Sequence, residues 1–162
     1  MRDIPDPGFA GDDGSASAEV TAALAAYAAA PDHRYAEALA VVQHARLLVP
    51  VVAVPGDTED DATGEKTSDM ASVLLRGRDG RAALLAFTGI DGLRRWHRDA
   101  RPVPVSCRRA AEAARQDGAA AMVIDVAGPV KFVVAEEDLG PLAQGYTLAD
   151  LNGRFGWVRA AG

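Results

Sequence analysis

The sequence predicts an α/β fold of the α+β kind: a single mixed β-sheet of about five to six strands with helices packed on it. Three observations predict it. Segments with helical spacing of apolar residues alternate with short β-branched runs. Asp79-Gly80 stands between two apolar runs, a strong hairpin signal. The run Arg46 to Val54 is apolar on both parities, as in a strand buried on both faces.

Each element follows in chain order. Met1 to Ala16 is rich in Pro, Gly and Asp, so residues 1–16 read as an extended or mobile arm that Phe9 can anchor. Ser17 is a helix cap, and Val20, Leu24 and Tyr27 share one face of a helix to about Ala30. Pro31 breaks that helix; Asp32 caps a second one, with Tyr35, Leu39 and Val42 in phase. The strand Arg46–Val54 follows, and its Pro50 argues for an edge or a bulge. Gly56 to Ser68 is an acidic loop. Met70–Arg76 and Arg81–Phe87 are the strands of the hairpin, and Thr88 starts a short helix through Leu93 and Trp96. Pro102–Val105 is extended. Ser106 caps a helix that Gly118 ends. Ala121–Val126 and Val130–Val134 are strands around a Gly128-Pro129 turn, and Glu136–Ala143 is a last helix. The domain is thus expected over 17–145, with a weakly patterned tail at 146–162 that Phe155 and Trp157 can anchor.

The 162 residues suit one domain. A net charge of −6 and a pI near 5.0 speak against a general nucleic-acid binder, which carries a basic footprint. No apolar run reaches membrane-spanning length, and no signal-peptide pattern opens the chain, so a cytoplasmic location is expected. The acidic run from Asp57 has Ala62 and Ser68 where a calcium loop needs Gly and Glu, so it reads as a solvated loop. His33, His44 and His97 lack ligand spacing, and no CxxC occurs; neither a metal nor a cofactor is expected. No phosphate-cradling or nucleophile-elbow motif is present.

Three features carry candidate chemistry. The single cysteine, Cys107, sits in the first turn of a predicted helix beside Arg108 and Arg109, an arrangement that lowers a thiol pKa, but no His is near it in sequence, so it reads as a small half-buried residue rather than a nucleophile. Arg94, Arg95 and Arg98 form a basic helix face suited to an anionic ligand or acidic partner. Lys66 is one of only two lysines, Lys66 and Lys131, in an arginine-rich chain, and as a compact ammonium it can pair with Glu65, Asp69, Asp12 or Asp13.

These segments resemble one family. Pro5-Asp-Pro-Gly-Phe-Ala-Gly-Asp-Asp-Gly14, Arg46-Leu-Leu-Val-Pro-Val-Val-Ala-Val54 and Glu65-Lys-Thr-Ser-Asp-Met-Ala71 are similar to the SseB family, in the form common in high-GC actinobacteria. So are Asp79-Gly-Arg-Ala-Ala-Leu-Leu-Ala-Phe-Thr88, Leu93 with Trp96, Ala100-Arg-Pro-Val-Pro-Val105 and Asp125-Val-Ala-Gly-Pro129. The resemblance implies an α/β domain of the SseB N-terminal type in a bacterial cytosol, and little chemistry. The expected function is a non-enzymatic binding or regulatory module with an unidentified protein or small-molecule partner. Its candidate binding residues are Phe9, Asp12, Asp13, Lys66, Asp69, Thr88, Arg94 and Arg95. The alternatives are a small enzyme using Lys66 or Cys107, and an oligomeric scaffold joined as a homo-oligomer through the Phe155–Trp157 tail or the Arg46–Val54 edge.

Overall fold

The structure, a computed structural model, describes residues 11–54 and 69–159. Helix α1 (Ala18–Ala29) begins where Ser17 Oγ accepts a hydrogen bond from the Val20 amide at 3.1 Å. This satisfies one of the orphan donors of the first turn. Helix α2 (Pro31–Val42) carries Pro31 in its own first turn. Proline is tolerated there because that N–H has no intrahelical partner. Asp32 is therefore not the cap but an acidic residue in the first turn, near the positive end of the helix dipole.

Among the described residues the strands fall into three ladders rather than the single sheet expected; the mixed α/β class stands. In the first, β1 (Arg46–Val54) lies between β2 (Asp69–Ser72) and β5 (Arg101–Ser106), antiparallel to both. Pro50 is accommodated in this central strand for two reasons. Pairing with β2 begins only at Val51, and on the other side Pro50 faces Pro102, so neither partner lacks a donor it was meant to receive. In the second ladder the order is β3 (Leu74–Arg76), β4 (Ala82–Ala86), β6 (Ala121–Ile124) and β7 (Phe132–Val134). Only β4 and β6 run parallel. The crossover between them is α3 (Ile90–Trp96), β5 and α4 (Cys107–Gln116).

The expected hairpin is present, its turn closed by Gly77 N to Arg81 O at 2.8 Å and by Gly80 at φ +82°. The run read as one strand from Met70 is two, β2 and β3, broken at Val73 as the chain passes from one ladder to the other. The two ladders touch through a single bridge, Leu48 with Phe87, whose amides exchange bonds of 2.7 and 2.8 Å.

That bridge explains the doubly apolar pattern of β1. Leu47 and Val49 point into the larger core with α1, α2 and α4, whereas Leu48 points into a smaller core with Leu85, Phe87 and Leu93. The larger core centres on Phe132, which is fully buried, edge-on to Tyr27 at 4.9 Å and stacked on Tyr35 at 5.4 Å.

Beyond α5 (Glu136–Ala143) the segment expected to be a weakly patterned tail forms the third ladder. It is a hairpin of β8 (Tyr146–Leu151) and β9 (Arg154–Arg159). Its turn is Asn152-Gly153 at φ +60° and +90°, and both residue types suit that left-handed geometry. The Asp150 carboxylate accepts from the Gly153 amide at 2.7 Å.

Candidate functional site

Because β4 and β6 are parallel neighbours, the residues that follow them emerge at the same sheet edge. Thr88 follows β4 and Asp125 follows β6. In open α/β sheets this edge is where ligands bind. Asp125 is only 5% exposed and adopts φ +58°, a left-handed conformation uncommon for a non-glycine residue. Its carboxylate accepts from the Thr88 amide at 2.8 Å and from the Thr88 hydroxyl at 2.7 Å. Burial pushes the Asp125 carboxyl upward, and the two Thr88 bonds and the Arg95 charge only partly oppose it. Thr88 is itself buried and precedes α3, which begins two residues later than the sequence suggested.

A strap crosses this edge. Residues 11–17 run over Thr88 toward α1, and the Gly14 carbonyl accepts from the Ile90 amide at 2.6 Å. Gly14 has φ +86° and lies so close to Ile90 that a Cβ would approach its side chain to 3.2 Å, so the position demands glycine on both counts.

Arg46, the first residue of β1, fastens the strap. Its Nε donates to Asp12 Oδ2 at 2.7 Å and its Nη2 to Asp12 Oδ1 at 2.9 Å. Nη2 also donates to the Ser15 carbonyl and Nη1 to the Thr88 carbonyl, both at 2.8 Å. The guanidinium beside Asp12 holds its carboxyl below the usual range.

Two clefts flank the strap. The first, about 590 Å³, is lined by Asp12, Ser15, Arg46 and Thr88 against Val20 and Val41 of the helices. The second, about 280 Å³, has an apolar wall that includes Leu24 and Val130 and polar groups from Thr88, Arg95 and Asp125. Thr88 lines both, and the consecutive strap residues Ser15 and Ala16 line one cleft each, so the strap is the partition between them.

Of the residues singled out in the sequence, the structure brings together Asp12, Thr88 and Arg95 around this edge; Arg95 donates to the Gly128 carbonyl at 3.0 Å. Asp13 instead turns back on Ser15, accepting from its amide at 2.9 Å and its hydroxyl at 2.6 Å, which lowers its carboxyl. Arg94 is exposed on α3, and Asp69 enters β2 opposite Val54. Phe9 and Lys66 lie outside the described residues.

Cys107 is more deeply buried than the half-buried position expected for it. It is fully buried in the larger core, and burial pushes its thiol up to about 12, the opposite of the activation its helix position suggested. A thiol so placed holds its proton at neutral pH and is shut off from a substrate.

Arg46 and Asp125 were missed in the sequence. Each carried a faint signal: a lone charge opening, or directly following, an otherwise apolar strand. Among the described residues no group of three or more His, Cys, Asp or Glu side chains is placed to hold a metal ion. No described helix is long and apolar enough to cross a membrane.

Comparison with curated proteins and with solved structures finds no match to the chain. The family description that does match is the SseB protein N-terminal domain, over residues 20–140, a stretch that runs from within α1 into α5 and takes in Arg46, Thr88 and Asp125; the chain belongs to the SseB family.

Proposed function

We propose that the chain is a non-enzymatic binding or regulatory module of the bacterial cytoplasm, and that it recognises its ligand at the strapped edge formed by Arg46, Thr88 and Asp125. The observation that supports this is the pair of clefts meeting at Thr88. Concave sites with apolar walls and a few converging polar groups are the usual form of small-molecule sites. The polar groups here are committed to one another rather than poised for proton transfer. Both Asp125 oxygens accept from Thr88, and Arg46 is bonded on three sides. A general base must also reach the proton it takes, and Asp125, 5% exposed and turned onto Thr88, presents little of its carboxylate to the clefts. Binding therefore suits the arrangement better than catalysis, and the buried Cys107 removes one nucleophile from the enzymatic alternative.

The test is a thermal-shift panel of common metabolites on the wild type and on Thr88→Val, which keeps the volume and removes the hydroxyl between the clefts. A ligand at one hundred times its Kd adds about 2.7 kcal/mol of apparent stability. The expected result is a hit on the wild type that weakens in Thr88→Val. A hit of equal size on both proteins moves the site elsewhere, and silence across the panel counts against a small-molecule ligand.

A further inference from the structure

We propose that Asp12 sits on Arg46 in the place of an external carboxylate, so that the larger cleft is a carboxylate site closed by the chain's own strap. The inference rests on the binding-module reading and adds to it the ligand class and the way access is controlled.

The geometry of the pair is the first ground. Nε and Nη2 of Arg46 meet the two oxygens of Asp12 as parallel bonds of 2.7 and 2.9 Å. This fork-to-fork arrangement is how arginine recognises free carboxylates. The second ground is that the fork is aimed by the body of the domain. The Arg46 side chain is only 13% exposed, and its Nη1 is held by the Thr88 carbonyl, which belongs to the sheet edge and not to the strap. When Asp12 leaves, the guanidinium keeps this anchor and presents its Nε–Nη2 edge to the cleft. The third ground is what fastens the other end. No residue of 11–17 belongs to either hydrophobic core, so these described strap residues are held by polar contacts: Asp12 and the Ser15 carbonyl on Arg46, and Gly14 on Ile90.

The lining limits the ligand further. Val20, Ala40 and Val41 offer an apolar wall, while Glu19 also lines the cleft and opposes a second negative charge; His44 is the remaining titratable group there. A small monocarboxylate with an apolar body fits this set better than a polyanion. Because the ligand must displace Asp12, the wild-type affinity is reduced by the fraction of molecules whose strap is open.

The experiment uses the full chain as wild type, Asp12→Asn, and Asp12→Asn with Arg46→Lys. Each is titrated with sodium butyrate and, separately, inorganic phosphate at constant ionic strength, and read by amide chemical shifts. Removing the competing carboxylate is expected to tighten butyrate binding about tenfold. Restricting the fork to a lysine ammonium is expected to abolish that gain. Equal butyrate affinity in wild type and Asp12→Asn overturns the proposal, and this comparison stands even if the Arg46→Lys protein does not fold. Phosphate binding as tight as butyrate overturns the monocarboxylate assignment. A panel metabolite that stabilises wild type and Asp12→Asn alike leaves the binding module in place and removes the latch. Butyrate binding gained in Asp12→Asn with a silent metabolite panel does the reverse.

Discussion

Two appended segments of this domain are fastened in opposite ways. The C-terminal hairpin β8–β9 is bound by burial and hydrogen bonds, with no ion pair to it among the described residues. The Gln43 side chain acts as a short strand: its amide donates to Leu148 O and accepts from Leu148 N, both at 2.8 Å. Asp138 on α5 accepts from the Tyr35 hydroxyl at 2.7 Å and from the Trp157 indole at 3.3 Å. Leu148 enters the larger core, with Phe155 and Trp157 packed on it. Among the described residues the N-terminal strap shows no such anchor; it is fastened by a charge pair and backbone hydrogen bonds. Apolar burial cannot be exchanged for an outside ligand without unfolding something, whereas a carboxylate on arginine can be exchanged for another carboxylate. The difference assigns the hairpin to stability and the strap to access.

The strongest way to break this contrast is to unseat the core beneath both. Phe132→Ala removes the ring wedged between Tyr27 and Tyr35 and should cost about 3–5 kcal/mol in urea denaturation. Both segments should be lost in the same transition. A separate, earlier transition for the hairpin would show that it does not share the core.

A narrower cut is Gln43→Ala. It leaves the Leu148 amide and carbonyl without their partner and should cost about 1–3 kcal/mol. Hydrogen exchange should speed at Leu148 while the Ile90 amide, which reports on the strap, is unchanged. Coupled acceleration at both amides would mean that the two segments do not open independently.

Much of the framework was legible because local rules and tertiary packing agreed. Ser17 and Ser106 cap the helices they were expected to cap, and Asp79-Gly80 turns the hairpin. The hairpin at Asn152-Gly153 was equally legible and was passed over, because its strands pair only with each other and carry a diluted apolar pattern. The division into separate ladders was not legible. β1 and β4 share one bridge and not a full ladder: two positions along, Pro50 has no N–H to give and the Leu85 amide donates to the Val73 carbonyl instead. The site was half legible. Asp12 and Thr88 stood out, but the arginine that joins them lies 34 residues from one and 42 from the other, and no spacing announces it. Cys107 was expected as a small half-buried residue at a helix start; the helix start is where it was expected and the burial is complete.

The smallest expected effect separates the two carboxylates of the site by the sign of their pH response. Asp12 is held below its ordinary value of 3.8, so the stability it gives is full above that pH and is lost as the pH falls through its lowered value. Asp125 is raised above 3.8, so its contribution is full below that pH and is lost as the pH rises through its raised value. Acidification from neutral should therefore first stabilise the domain through Asp125 while the strap stays closed, and open the strap only at lower pH. Asp125→Asn should remove the first phase from a plot of Tm against pH and leave the second. Asp12→Asn should cost only about 1 kcal/mol, because the pair is partly exposed and Asn keeps an oxygen that can accept one of the two Arg46 bonds. Its signature should be local: faster exchange at Ile90, no change at Leu148. In the wild type the same pattern should follow from raising the salt to about 1 M, where the Debye length shrinks to about 3 Å. An Ile90 amide that ignores both salt and Asp12→Asn would mean that the Gly14 carbonyl, packed against Ile90, holds the strap without the charge pair, and the strap would then be as fixed as the hairpin.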